Sequence, residues 1–144
     1  MTRVDFYILE EAIDSARLRV AARIAEKATL QNRHVYINAA DEDESHRLDE
    51  VLWTFSQGSF VPHRVIRSAG DGAGVAEPVL IGVAVELPEP CEVMINLAGE
   101  VPEFFSRYER VAEIVDAQSS RRDAGRSRYK YYRDRGYELT SHKI

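Results

Sequence analysis

The chain offers few residues that could run a reaction. Its four histidines, His34, His46, His63 and His142, are scattered with no close metal-ligand spacing. The single cysteine, Cys91, has no base partner beside it and rules out a disulfide framework or a four-cysteine zinc site. Carboxylates crowd positions 41–50, where acid or base chemistry is conceivable. On a helix such a run reads as a solvated face. Gly70-Asp71-Gly72-Ala73-Gly74 invites a phosphate-loop reading. A phosphate loop needs a strand directly before it and a helix directly after it. Here the preceding strand ends several residues earlier, Glu77-Pro78 and a strand follow, and no Lys-Ser/Thr pair closes the loop. No nucleophile, base and oxyanion donor assemble. The residues therefore point to a binding module, with no metal and no cofactor expected.

The binding chemistry is concentrated in two places. Arg122, Arg126, Lys130 and Arg133 fall at i, i+4, i+8 and i+11, which makes one stripe on a helix. Like charges at i, i+4 cost about 0.2–0.5 kcal/mol per pair, a cost an anionic ligand would offset. Tyr129 flanks the stripe, and Tyr132 and Tyr137 add ring surface nearby, with some of these rings facing the core. Arginine forks grip a carboxylate in two parallel bonds, and an aromatic lip holds a hydrophobic side chain. The combination suits an acidic peptide that ends in a hydrophobic residue and a free carboxylate. A basic solvated face with packed stems is the other reading.

The second place is Leu48 to His63, LDEVLWTFSQGSFVPH. Leu48, Val51, Leu52 and Phe55 make the apolar face of a helix, and Trp53 sits one residue off it. Gly58 is expected to end the helix. Phe60-Val61-Pro62-His63 then leaves as a short extended segment, since Val61 precedes proline. Pro62 has no N–H to donate, so any strand here is an edge or a strand end. Trp53 and Phe60 are either core or an apolar patch for a partner chain.

The elements that position these residues read as strand, helix, strand, helix, the pattern of βαβ units and a largely parallel sheet. Val4–Leu9 is a central strand. Asp14 or Ser15 caps a helix to about Gln31 whose narrow face is Leu18, Ala21, Ala22, Ala25 and Ala28, and Asn32 ends it. A strand at 34–37 and an acidic helix entry at Asp41–Glu44 follow. Residues 68–78 form a mobile loop. Val79–Val85 and Val93–Leu97 are strands joined through a proline-containing turn at Leu87–Cys91. Pro102 opens a helix that includes Phe104, Phe105 and Tyr108. Arg110–Val115 is the last strand. Ser119 or Ser120 caps a final helix that ends at Gly136 in the C′ position. The expected fold is a single-domain, Rossmann-like α/β unit over 1–144, with helices on both faces of the sheet.

Composition supports this. The chain has 144 residues, 44% hydrophobic and 30% charged, which favours one ordered domain. No apolar run reaches the roughly 18 residues that span a bilayer, and the charged opening does not read as a signal peptide. A cytoplasmic protein without a membrane partner is expected. Net charge is −5, but Ser120–Gly136 holds seven cations against two carboxylates. An acidic chain with one basic helix is not expected to coat nucleic acid, so direct nucleic-acid binding is not anticipated.

Three segments together resemble the chi subunit family of bacterial DNA polymerase III: Val4-Asp5-Phe6-Tyr7-Ile8-Leu9, the Leu48–His63 run, and Arg126-Ser127-Arg128-Tyr129-Lys130-Tyr131-Tyr132-Arg133. They occur in the right order over the whole length. The resemblance implies a non-catalytic adaptor that links the clamp loader to single-stranded-DNA-binding protein. It implies that Arg122, Arg126, Tyr129, Lys130, Arg133 and Gly136 bind the acidic, Phe-terminated tail of that protein. It also implies that Trp53, Phe60, Val61, Pro62 and, less firmly matched, His63 meet a psi-type clamp-loader subunit or a helicase-type partner. Arg122 stands where a lysine is common in the family, which keeps the charge. Gly125 inside the final helix costs about 1 kcal/mol against alanine. The competing reading is a small Rossmann-like enzyme acting on a nucleotide or a phosphorylated metabolite.

Overall fold

Apolar β-branched runs alternate with amphipathic segments along the chain, and each run becomes a strand buried on both sides. The computed structural model describes residues 1–56, 58, 60–72, 76–90 and 92–144. Its elements are β1 (Arg3–Ile8), α1 (Asp14–Leu30), β2 (Val35–Asn38), α2 (Glu42–Thr54), β3 (His63–Val65), β4 (Val79–Gly82), β5 (Val93–Asn96), β6 (Arg110–Val115), α3 (Ser119–Asp134) and β7 (Glu138–Lys143). One seven-stranded sheet runs in the order β3-β4-β2-β5-β6-β1-β7, and every pairing is parallel. The expected α/β fold with a mostly parallel sheet is therefore present, and the sheet is parallel throughout.

Side chains alternate across the sheet with period two. Val35, Ile37, Val79, Ile81, Val93 and Ile95 pack against Leu18, Ala21, Ala22 and Ala25 of α1 and Leu48 and Leu52 of α2. Tyr36, Leu80, Met94, Val4, Phe6 and Val111 face the other way, into a second core with Phe105, Tyr108 and Tyr132 of α3. Helices thus cover both faces. The small α1 face lets that helix approach closely, and Asn32 ends its terminal turn in the left-handed region at φ 60°.

Several boundaries differ from expectation. β6 is not the last strand: β7 follows α3 and pairs with β1 at the sheet edge. Phe104, Phe105 and Tyr108 do not share an α-helix but surround one 3₁₀ turn, Phe105–Arg107. The Thr2 hydroxyl donates to the Tyr108 carbonyl at 2.6 Å, with the Ser106 carbonyl at 3.2 Å, and this pins the segment as a turn. β4 stops at Gly82, not Val85, because Ala84 adopts φ 52°. Ile13 rather than Asp14 or Ser15 occupies the N-cap of α1, and Gln118 rather than a serine caps α3 by accepting from the Arg121 N–H. α2 ends at Thr54, before Gly58, which lies in a later turn at φ 77°. The loop at 68–78 contains a 3₁₀ turn, Ala69–Gly72. Ala73 and Gly74 of the glycine-rich run, and Cys91 at the end of the proline-containing turn, lie outside the described residues.

Gly125 is a packing requirement in α3. A Cβ there would meet both methyls of Val115 on β6 at 2.8 and 2.9 Å. Alanine would gain about 1 kcal/mol of helix propensity, against about 1–3 kcal/mol for forcing an atom into a packed contact. Val115 is short and stiff at χ1, so the overpacking wins. Gly125→Ala should lower the melting temperature, and Gly125→Leu should lower it further. A more stable Gly125→Ala would show that α3 can move off the sheet freely.

Candidate binding surfaces

α3 is held on the sheet by one side and displays the other. Gly125 rests on Val115. The buried Arg128 places Nε 2.9 Å from Oε1 of Glu113, and the Tyr132 hydroxyl donates to Oε2 at 2.7 Å. These inward positions turn Arg122, Arg126, Lys130 and Arg133 outward, where all four are exposed. Arg126 reaches only a loose contact with Asp123 at 3.8 Å, and Arg133 one with Asp134 at 3.5 Å. Arg122 and Lys130 have no ion pair among the described residues. Tyr129 is half-buried, its ring edge-on to Phe6 at 5.2 Å, so it lies between the core and the stripe. Of the other rings, Tyr132 is core, while Tyr137 is half-buried against Phe105 at 5.0 Å. Gly136 stands at C′ with φ 79°, where its missing Cβ avoids strain. The structure therefore brings Arg122, Arg126, Tyr129, Lys130, Arg133 and Gly136 onto one helix and its C-terminal turn.

The Leu48–His63 stretch divides between core and surface. Leu48, Leu52 and Val61 are buried, whereas Trp53 is 56% and Phe60 60% exposed. The two rings lie 5.1 Å apart, and His63 meets Trp53 edge-on at 5.0 Å. His63 places Nδ1 2.7 Å from the Val61 carbonyl and Nε2 2.8 Å from an Asp49 carboxylate oxygen. The second approach is off the hydrogen-bond line, so it is charge proximity rather than a directed bond. Pro62 is half-buried. Val61 and His63 are corrections: both were expected on the partner surface, but the Val61 side chain anchors the segment in the first core and the His63 side chain is only 1% exposed. Asp49 was missed, although its place one helical turn before Trp53 was a usable signal. β3 is an edge strand that begins at His63, directly after Pro62, so both of the expected positions for a proline are met. This patch lies at the β3 edge, while α3 packs on β6 and β7 toward the opposite edge.

A crevice of about 440 Å³ opens at the carboxyl ends of the strands, lined by Asp14, Arg17, Glu44, Arg47, Arg121 and Arg128 among others. Open parallel sheets bind their ligands at this location. Here the cations already have partners. Arg17 pairs with Glu44 and Asp14, Arg47 with Asp14, Arg121 with Asp116 at 2.7 Å, and Arg128 with Glu113. The first turn of α2 is likewise occupied: Asp41 accepts from the Glu44 N–H and Glu44 from the Ala40 N–H, both at 2.8 Å. In the glycine-rich loop, Asp71 accepts from the N–H groups of Arg67 and Ser68 at 3.0 and 3.2 Å. An incoming phosphate would have to displace carboxylates at either place. Among the described residues no His/Cys/Asp/Glu group is arranged to hold a metal. No described helix is long and apolar enough to cross a membrane.

Comparison with known proteins adds an independent line. Residues 1–140 match the family described as "DNA polymerase III chi subunit, HolC". The chain is similar to DNA polymerase III subunit chi of Pseudomonas aeruginosa, 39% identical over 144 residues, covering 100% of this chain and 98% of that protein. It is also similar to DNA polymerase III subunit chi of Escherichia coli, 30% identical over 146 residues, covering 98% and 97%.

Acid should loosen the crevice at Asp14. Burial alone would raise this carboxyl, but hydrogen bonds from Arg47 and Arg17, with their charges, outweigh it and hold it below the ordinary value. A depressed carboxyl contributes stability above its unfolded pKa of about 3.9 and loses that contribution as pH falls through the folded value. Asp14→Asn should melt below the wild type at neutral pH, and the gap should close below about pH 4. A gap that stays constant across the acid range, read from melting temperature against pH, would show that Asp14 acts through packing alone.

Proposed function

The chain belongs to the DNA polymerase III chi subunit family, and we propose that it works there as a non-catalytic adaptor with two separate docking surfaces. The observation that carries this reading is the exposed cationic stripe on a helix whose opposite side is clamped to the sheet. Membership places the chain among accessory subunits of the replicative polymerase. In the proposal, Arg122, Arg126, Lys130 and Arg133 grip the acidic C-terminal tail of single-stranded-DNA-binding protein, with Tyr129 as the lip for its terminal ring and Gly136 at the end of the groove. The second surface, Trp53 with Phe60 and Pro62, takes a psi-type clamp-loader subunit or a helicase-type partner, and the His63 side chain, 1% exposed, supports the Trp53 ring from behind. Val61 contributes by fixing the segment that carries Phe60. Family resemblance supplies the identity of the partners. Exposure and charge supply the support for the surfaces. A cytoplasmic location and one domain over 1–144 belong to the same proposal.

Arg126→Ala should weaken binding of a tail peptide by about 2 kcal/mol or more, the scale for removing one partner of a desolvated charge pair. Its melting temperature should hardly move, because the Arg126 side chain is 74% exposed. Amidating the peptide's C-terminus, or changing its last Phe to Ala, should each remove most of the affinity, and added salt should weaken what remains. Equal binding of a scrambled acidic peptide in calorimetry would reduce the stripe to a generic anion sink.

The two surfaces should fail independently. Phe60→Ala removes an exposed ring, so its effect on stability should stay within about 0.5 kcal/mol. Loss of an aromatic anchor should cost about 2 kcal/mol or more in binding the psi-type partner. Tail binding should be unchanged, and Arg126→Ala should show the reverse pattern. A large drop in melting temperature with both partners lost would return the Leu48–His63 stretch to ordinary core.

A further inference from the structure

The fold gathers a second set of cations that the sequence keeps far apart. A groove of about 260 Å³ runs beside α1, lined by Tyr7, Arg23, Ile24, Lys27, Ala28, Gln31, Arg33, Val93, Arg110 and Ala112. Four of these residues are cationic and none is a carboxylate. Arg23 and Lys27 are exposed, one helical turn apart, and have no ion pair among the described residues. Arg33 is held loosely by the exposed Glu109 at 3.5 Å, and Arg110 lies 3.3 Å from Asp5. Glu92, at the same end, is tied to the His34 N–H at 3.4 Å. The groove therefore keeps a cationic surplus within a chain of net charge −5.

Aromatic surface stands at one end. In the parallel register Tyr7 of β1 sits opposite His142 of β7, and their rings stack at 4.8 Å with 18° between planes. The His142 side chain is 41% exposed and its Nε2 is 3.1 Å from Asp5. α1 covers β2, β5 and β6, so this ring pair forms a shelf beside the helix. The apolar part of the lining is Ile24, Ala28, Val93 and Ala112. Cations spaced along a groove that ends at stacked rings match what a single strand presents, phosphates along one line and bases with open π faces.

We propose that this groove binds a short stretch of single-stranded nucleic acid, with Arg23, Lys27 and Arg33 on phosphates and a base on the Tyr7–His142 shelf. The site is separate from the stripe on α3, and it does not rest on the adaptor reading. The surrounding negative charge makes it a local contact, strong at low salt and steeply weakened as salt rises.

The test is fluorescence anisotropy of a labelled oligothymidylate with the full chain, at low and rising salt. Wild type should bind at low salt. Arg23→Glu with Lys27→Glu should weaken binding by roughly tenfold or more and flatten the salt dependence. His142→Ala should weaken it by about fivefold or more through lost stacking. Arg126→Glu, on the other helix, should leave it unchanged. Should the charge reversal impair folding, Arg23→Gln with Lys27→Gln gives the same reading with a smaller loss. No binding by wild type at low salt would overturn the proposal, as would undiminished binding by the reversed variant or loss confined to Arg126→Glu. Polyglutamate competing as well as unlabelled oligothymidylate would also overturn it, because the groove would then take acidic polypeptide.

Discussion

The buried carboxylate of Glu113 is the interaction on which the rest of the arrangement depends. It is fully buried in the middle of β6, and a buried charge persists only when paired and hydrogen-bonded. Arg128 supplies the opposite charge, the Tyr132 hydroxyl donates to it, and the Asn96 side-chain amide donates to both oxygens at 3.2 and 3.0 Å. Burial, and then the charge of Glu113, push the Tyr132 hydroxyl far above its ordinary pKa, so it remains a donor. The network continues across the sheet. Asn38 donates to Asn96, Tyr36 donates to Asn38, and the N–H groups of Ala84 and Val85 close on Asn38 and Tyr36. One chain of polar contacts thus joins α3, the three strands β6, β5 and β2, and the bend after β4. Because Arg128 and Tyr132 are one turn apart, satisfying Glu113 fixes the rotation of α3. That rotation decides which arginines meet solvent.

Counting charge along the sequence overstates the basic helix. Among its seven cations, Arg121 and Arg128 are spent on Asp116 and Glu113, and Arg135 lies over the Tyr131 ring at 3.5 Å. The remaining four form the stripe. Exposed pairs such as Arg126 with Asp123 contribute little, so the stripe keeps most of its field. Structural and displayed cations are therefore neighbours on one helix, separated only by which face they occupy.

The parallel α/β layout was legible because buried strands read as short apolar runs, as in Val35–Asn38 and Val93–Asn96. The stripe was legible because helical spacing alone put Arg122, Arg126, Lys130 and Arg133 together. β7 was not, since ELTSHK is an edge strand with most side chains in water and carries no apolar signal. The turn at Phe105–Arg107 reads as a helix in sequence because Pro102 suits a first helical turn, and the decisive contact comes from Thr2, about a hundred positions away in sequence. Val61 was misplaced for a related reason: a residue before proline is known to be extended, but its buried or exposed side depends on the register of β3. The grouping of Arg23, Lys27, Arg33 and Arg110 required the parallel crossover that lays α1 over β5 and β6.

The crevice at the carboxyl ends of the strands shows why the fold does not carry the function. Parallel topology creates that opening in any such sheet, and helix N-termini converge there with positive ends. In a ligand-binding relative of the architecture those ends would face a phosphate. Here Asp14, Asp41 and Glu44 take that place, and the arginines that might have held an anion hold these carboxylates instead. The opening is turned into a joint between α1, α2 and the start of α3. A joint of paired charges favours a rigid scaffold, and rigidity is what two outward surfaces at opposite edges of one sheet require. In the proposed adaptor, partners held at such distant sites would act independently, because surfaces with no shared contacts add their effects rather than couple.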